Sequence, residues 1–174
     1  MAQNYKSILK NIKTLVFDVD GVFTDNRVIL FPNMEPIRSF SARDAYAIQY
    51  AIKKGLNLVV ITGGRSESVV KQLKEFGLTH IYSGISDKEK KLLEFLNETK
   101  LDLDEVLYMG DDIPDMKVMM MAGLACCPQD AVNEIKNICA YVSPVKGGYG
   151  CVRDIIEQTL KVQGKWLKEG AHEW

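Results

Sequence analysis

The stretch VFDVDGVFTD, residues 16–25, places three aspartates directly after an apolar run. Asp18 and Asp20 stand at the exit of what reads as a buried strand, where a charge is costly unless it is paired or binds a metal. A second acidic group, Asp111, Asp112 and Asp115, follows the run VLYMG, and Thr62 precedes two glycines in ITGG. Lys88 opens a helical stretch between them. Asp18, Asp111 and Asp115 are hard oxygen ligands, too few to enclose a calcium ion. They suit Mg²⁺, which keeps waters and shares phosphate oxygens. With that charge screened, an aspartate can attack phosphorus and form an aspartyl-phosphate. A second aspartate can reach the far side of the reacting group if the backbone turns at Gly21. There it can protonate the leaving oxygen and later deprotonate a water. The Thr62 hydroxyl and the backbone N–H groups near Gly63 can hold phosphoryl oxygens. Lys88 can neutralise both nucleophile and phosphoryl group, and phosphoryl transfer asks mainly for such positioning and charge stabilisation.

Singly these signals are weak. A lone D-x-D is most often a solvated turn, GDD before a helix an N-cap, and a lysine a surface residue. Their strength comes from the elements that must position them. KTLVFDVD, NLVVITG, THIYSG, EVLYMGDD, LACCP and AYVSP read as strands. Between them, SESVVKQLKEFG sets Val69, Val70, Leu73 and Phe76 on one face and stops at Gly77. SDKEKKLLEFLNE carries a Ser86/Glu89 capping-box pattern with Leu92, Leu93 and Leu96 facing inward, and ARDAYAIQYAIKKG ends on Gly55. Strands alternating with helices, and strands of nearly continuous apolar character, predict an α/β fold: a Rossmann-like parallel sheet flanked by helices. Ligands in such sheets bind beyond the carboxyl ends of the strands. Every polar group named above falls at that edge. One segment departs from the alternation: NRVILFPNMEPIRSFS holds two extended stretches around a Pro-Asn turn, which predicts a β-hairpin after the first strand.

The totals exclude several classes. The 174 residues suit one domain, with 47% hydrophobic and 26% charged residues. A net charge of −1 without a basic run argues against nucleic acid. No apolar stretch has the length of a signal-peptide core or a membrane span, so the expected compartment is the cytoplasm. The four cysteines, Cys126, Cys127, Cys139 and Cys151, lack zinc-site spacing and read as reduced, mostly buried thiols. His80 and His172 carry no pattern, and the methionines of MKVMMMAG read as core filling.

These motifs resemble those of the haloacid dehalogenase-like phosphatase superfamily. DVDGVFTD is similar to its first motif, ITGG to its second, Lys88 to its third and GDDIPD to its fourth. The resemblance spans nearly the whole chain. It points to the small capless subgroup that includes 3-deoxy-D-manno-octulosonate 8-phosphate phosphatases, through the hairpin after GVFTD, SARDAYAI, and the segment GGYGCVRDIIEQTLKVQGKW. It implies Asp18 as nucleophile and Asp20 as general acid/base. It implies Mg²⁺ held by the side chains of Asp18 and Asp111 and the backbone carbonyl of Asp20, with Asp115 acting in an outer position or through water. Thr62 and Lys88 would bind the phosphoryl group. It further implies one domain over residues 1–174 with no cap domain, a flexible tail over 162–174, and a homotetramer in which a neighbour's hairpin and tail close the site. The apolar VILF stretch fits an interface.

The implied substrate is a sugar-acid phosphate, and its product would be destined for lipopolysaccharide. An arginine is the natural partner for its carboxylate. Arg65 is the best placed, Arg43 and Arg153 less so. Gly147 and Gly148, after Lys146, could let backbone approach the substrate. The octulosonate enzymes tend to carry a basic residue directly after Ile-Thr-Gly. Here that residue is Gly64 and Arg65 follows, so 2-keto-3-deoxynononate 9-phosphate stays open as the substrate. A signalling receiver domain would place its phosphorylated aspartate on a middle strand, behind an acidic pair on the first, which reverses the order seen here. GGYG fails the dinucleotide fingerprint because Arg153 fills its last position. A non-catalytic oligomerisation module, like those appended to sialic-acid-activating enzymes, would be favoured by loss of Asp18 or Asp20, and both are present.

Overall fold

The apolar runs form six strands in the computed structural model, which describes residues 4–172: β1 (Thr14–Phe17), β2 (Asn57–Ile61), β3 (His80–Tyr82), β4 (Val106–Met109), β5 (Leu124–Cys127) and β6 (Tyr141–Val142). All pair in parallel, in the order β3-β2-β1-β4-β5-β6. β1, β4 and β5 are buried throughout, as a sheet covered on both faces requires. Alternate residues feed two cores. Leu15, Phe17, Leu58, Val60, Leu107 and Met109 point to one, and Val16, Val59, Ile61, Val106 and Tyr108 to the other. Helices α1 (Tyr5–Leu9), α2 (Ala42–Lys53), α3 (Glu67–Glu75) and α7 (Cys151–Val162) cover the first face. Helices α4 (Lys88–Thr99), α5 (Met116–Met121) and α6 (Asn133–Ile138) cover the second.

The chain winds from β1 outward to β3, then crosses to β4 and winds the other way. The reversal lies between β1 and β4, whose last residues, Phe17 and Met109, are in register. A doubly wound sheet opens its ligand crevice at that point. Asp18 and the Gly110-Asp111 pair therefore leave adjacent strands side by side. Between β1 and β2 there is only an irregular segment and α2, so no cap domain is present.

Local details depart from expectation. The hairpin is reduced to one antiparallel bridge, Ile29 with Ile37, closed by two backbone hydrogen bonds. Its apolar side chains are exposed, Leu30 most of all. α4 is capped by Asp87, which accepts the Lys90 N–H, and not by Ser86. On the same helix Phe95 is buried where Leu93 was expected, and Leu93 faces outward. In α3, Val69 and Leu73 are buried, while Val70 and Phe76 are half-buried. In α5, Met119 is buried and Met120 exposed.

The tail predicted to be flexible over 162–174 is seated on α2 as far as it is described. The Tyr46 hydroxyl donates to the Ala171 carbonyl at 2.5 Å, Tyr50 to that of Lys165 at 3.0 Å, and the Lys54 ammonium to that of Glu169 at 2.6 Å. Trp166 meets Tyr50 edge-on at 5.5 Å. Glu173 and Trp174 lie outside the described residues. All four cysteines are free, three of them buried. His80 is exposed at the start of β3, its ring 5.1 Å from that of Phe95. No described helix is long and apolar enough to cross a membrane.

Candidate active site

Beyond Phe17 the backbone turns sharply. The Phe23 N–H and, at longer range, that of Thr24 reach the Val19 carbonyl, and Gly21 adopts φ +83°. A Cβ on Gly21 would stand 1.9 Å from Asp111 Oδ2, so the residue is excluded from bearing a side chain twice over. The turn leaves Asp18 buried and Asp20 half-buried. Asp18, Asp111 and Asp115 each offer a carboxylate oxygen within 4.8 Å of the others, and all three residues are buried. Asp115, expected in an outer position or acting through water, has a side chain only 1% exposed. Its Oδ1 accepts from Lys88 Nζ at 2.8 Å and from the Tyr108 hydroxyl at 2.9 Å.

Lys88, the residue most easily dismissed as a surface lysine, is buried at the N-terminus of α4. Its ammonium lies 3.0 Å from Asp18 Oδ1 and 2.8 Å from Asp115 Oδ1. The Asp18 contact is an ion pair without hydrogen-bond geometry, and Asp18 Oδ1 has no hydrogen bond of its own. Burial pulls the ammonium down, but Asp18 and Asp115 outweigh that and hold it above its ordinary value. Burial, with the Asp115 and Asp18 carboxylates, pushes the Tyr108 phenol up, so it remains a donor. One ammonium therefore faces three buried carboxylates. Burial first, then Asp18 and Asp115, push Asp111 up to about 7. Burial and Asp18 likewise raise Asp115. An acidic cluster with excess negative charge and only hard donors fits a divalent cation such as Mg²⁺.

Thr62 is buried just past β2, next to β1 in the sheet. Its Oγ1 accepts the Gly64 N–H at 3.1 Å, which leaves the hydroxyl proton free for an anion. Gly63 is exposed at the tip of that turn. Asp20, Arg38, Thr62, Gly64 and Ser66 line one small hollow, and Arg65 borders the adjoining one, its side chain lying over Gly84. Arg43 and Arg153 fall elsewhere, in a groove beside α7. The Arg153 guanidinium is committed there, 5.4 Å from the rings of both Tyr46 and Trp166.

Gly147 and Gly148 have a different use from the one expected. A Cβ on Gly147 would stand 1.9 Å from the Gly21 carbonyl oxygen, and one on Gly148 2.5 Å from the Asp25 nitrogen. The pair packs backbone against backbone on the turn that carries Asp20, and the Gly148 N–H donates to the Val22 carbonyl. They support the turn from behind.

Sequence reasoning missed three contributors. Arg38 grips Asp20, Nε to Oδ1 at 2.7 Å and Nη2 to Oδ2 at 3.3 Å. The Asn26 amide donates to Asp111 Oδ2 at 3.3 Å from a left-handed backbone, φ 60°. The third is Tyr108. A phenol in an otherwise apolar strand was a signal for Tyr108, and an Asp-Asn pair in a turn a faint one for Asn26. Arg38 had none, because only the folded path of residues 26–40 brings it to Asp20.

Known proteins show the same arrangement of chain. Residues 42–127 match the family of haloacid dehalogenase-like hydrolases. The chain is 33% identical over 156 residues to 3-deoxy-D-manno-octulosonate 8-phosphate phosphatase of Escherichia coli strain K12, covering 90% of this chain and 83% of that protein. The crystal structure of the Yersinia pestis phosphatase of that name superposes with a TM-score of 0.91 at 33% identity, over 95% of this chain and 89% of that one. The 3-deoxy-D-manno-octulosonate 8-phosphate phosphatase of Moraxella catarrhalis, crystallised with a magnesium ion, a phosphate ion and a KDO molecule, superposes with a TM-score of 0.90 at 30% identity, over 92% of each chain.

Proposed function

Since this chain belongs to the haloacid dehalogenase-like hydrolases and is a phosphoric monoester hydrolase, we propose that it releases phosphate from 3-deoxy-D-manno-octulosonate 8-phosphate with Mg²⁺ bound. The observation that carries the reading is the Asp18/Asp111/Asp115 cluster around Lys88, at the crevice between β1 and β4 with Thr62 on the flank. The similarity to octulosonate phosphatases supports the choice of substrate.

Asp18, Asp111 and the backbone carbonyl of Asp20 would hold Mg²⁺, with Asp115 behind them. When bound, the ion screens the carboxylates and offsets the charge of the phosphoryl oxygens. The Thr62 hydroxyl and the Lys88 ammonium hold that phosphoryl group. An Asp18 carboxylate oxygen attacks phosphorus as the ester P–O bond breaks, and the leaving sugar oxygen takes a proton from Asp20. Water then attacks the aspartyl-phosphate, giving its proton to Asp20. The bond from phosphorus to Asp18 breaks, and phosphate leaves. Arg65, which borders the adjoining hollow, is the residue for the sugar carboxylate. We place the reaction in the cytoplasm.

Without a cap, the crevice needs a wall. We propose a homotetramer in which residues 28–37 of a neighbour supply it. Val28, Ile29, Leu30, Phe31, Met34 and Ile37, all 43% or more exposed, support this. The tail, seated on its own α2 through Ala171, is less available for that role than the hairpin. Phosphate release from the eight-carbon and nine-carbon sugar-acid phosphates, assayed side by side, tests the substrate. The account expects the eight-carbon ester to be preferred, and preference for the nine-carbon ester would overturn that choice.

A further inference from the structure

We propose that Arg38 is the residue that aims the Asp20 carboxylate, tethering one oxygen and turning the other toward the leaving group. The inference rests on the assignment of Asp20 as acid/base above.

The two Asp20 oxygens are held unequally. Oδ1 accepts the short bond from Arg38 Nε, 2.7 Å, and a longer one from the Thr24 hydroxyl, 3.4 Å. Among the described residues Oδ2 has only the Arg38 Nη2 hydrogen bond at 3.3 Å, and it lies 3.5 Å from where a Cβ on Gly64 would be. The loosely held oxygen thus faces the Thr62–Gly64 turn, where a phosphoryl group would sit. The tightly held one points back to Arg38. A guanidinium suits this task, because its planar fork sets the plane of a carboxylate, where an ammonium would set only a distance.

Arg38 is itself anchored from both sides. Ile37 is bridged to Ile29, and Phe40 packs against Phe23 and Phe76, with ring centroids 6.3 and 5.9 Å away. The Arg38 side chain is 14% exposed, so it is not a freely moving surface group. Asp20 otherwise sits on a turn, with no rigid element of its own. The exposed 28–37 segment leads directly into Arg38.

A series of substituted phenyl phosphates of equal charge and similar shape tests the role. A nitrophenolate leaves unaided, whereas phenolate benefits from a proton. kcat/KM reads the step in which the leaving group departs. In Arg38→Met, kcat/KM for phenyl phosphate should fall roughly tenfold further than for nitrophenyl phosphate. Arg38→Lys should recover part of that difference. Asp20→Asn should steepen the dependence more. Equal losses along the series in Arg38→Met, with Asp20→Asn still steepening it, would overturn the role of Arg38 and leave that of Asp20 intact. An unchanged dependence in Asp20→Asn would overturn the acid/base assignment itself, and the inference with it.

Discussion

Gly21 and Asp111 are in such close contact that a Cβ on the glycine would stand 1.9 Å from the Asp111 carboxylate. The turn after β1 and the loop after β4 are fitted to each other at the point where a cation would bind. Gly21→Ala therefore has to displace Asp111. Apparent Mg²⁺ affinity should weaken by ~10–100-fold, read as the Mg²⁺ dependence of phosphate release. Gly55→Ala is the control. It meets the same positive φ with nothing within 4 Å of its Cβ, so it should alter stability and leave the Mg²⁺ dependence alone. Parent-like Mg²⁺ dependence in Gly21→Ala would count against Asp111 as a ligand.

Lys88 is the only cation in contact with Asp18 and Asp115 among the described residues. Lys88→Met leaves the buried Asp18 and Asp115 carboxylates without their cation, which costs on the order of 3–5 kcal/mol without metal. Thermal melts should show a large loss in chelator and a smaller one in Mg²⁺. Turnover should fall by ~10²-fold or more, since a charge on the phosphoryl group is lost. A melt insensitive to Mg²⁺ in both proteins would refute the coupling.

The strand edge was legible from sequence because it depends on chain order alone. Asp18, Thr62 and Asp111 directly follow apolar runs, and a parallel sheet brings such ends together whatever the side-chain details. Lys88 was legible through its place at a helix start. Arg38 and the seat of the tail were not, since each depends on where an irregular segment lands. The hairpin was legible in pattern and nearly absent in form. Its apolar residues stay largely exposed, and one bridge is all the pairing that the described residues keep there. Asp87 took the cap from Ser86 because either side chain can cap a helix, and the loop path decides between them.

Asp44, in α2, accepts the Arg153 N–H at 2.7 Å through Oδ1, while the buried Oδ2 has no hydrogen-bond partner. Burial pushes its carboxyl from the ordinary 3.8 up to about 7, against the opposing pull of the Arg153 N–H and charge. The folded state thus holds a proton that the unfolded chain gives up. The protein loses stability from this group as pH rises from about 4 to about 7, by up to ~4 kcal/mol, and the loss is then complete. Asp44→Asn keeps the acceptor for Arg153 and removes the titration. Its stability relative to the parent, from urea unfolding, should climb over that range and level off above it. A difference independent of pH would show that Asp44 does not titrate there.

The exposed segment gives a prediction about assembly. Leu30→Asp places a charge at its most exposed apolar position, 74% exposed, at little cost to the monomer. Light scattering should show a smaller assembly than the parent, and phosphatase activity should fall with it. An unchanged mass would argue that residues 28–37 are not an interface.

The central claim is that Asp18 attacks a phosphate ester in a site that needs Mg²⁺. The direct measurement is phosphate release from 3-deoxy-D-manno-octulosonate 8-phosphate by the parent with Mg²⁺, by the parent with chelator, and by Asp18→Asn with Mg²⁺. The account predicts turnover in the first alone, with Asp18→Asn folded as the parent is, because the change removes a charge and almost no volume. Release by Asp18→Asn at the parent's rate, or turnover unaffected by chelator, would contradict it.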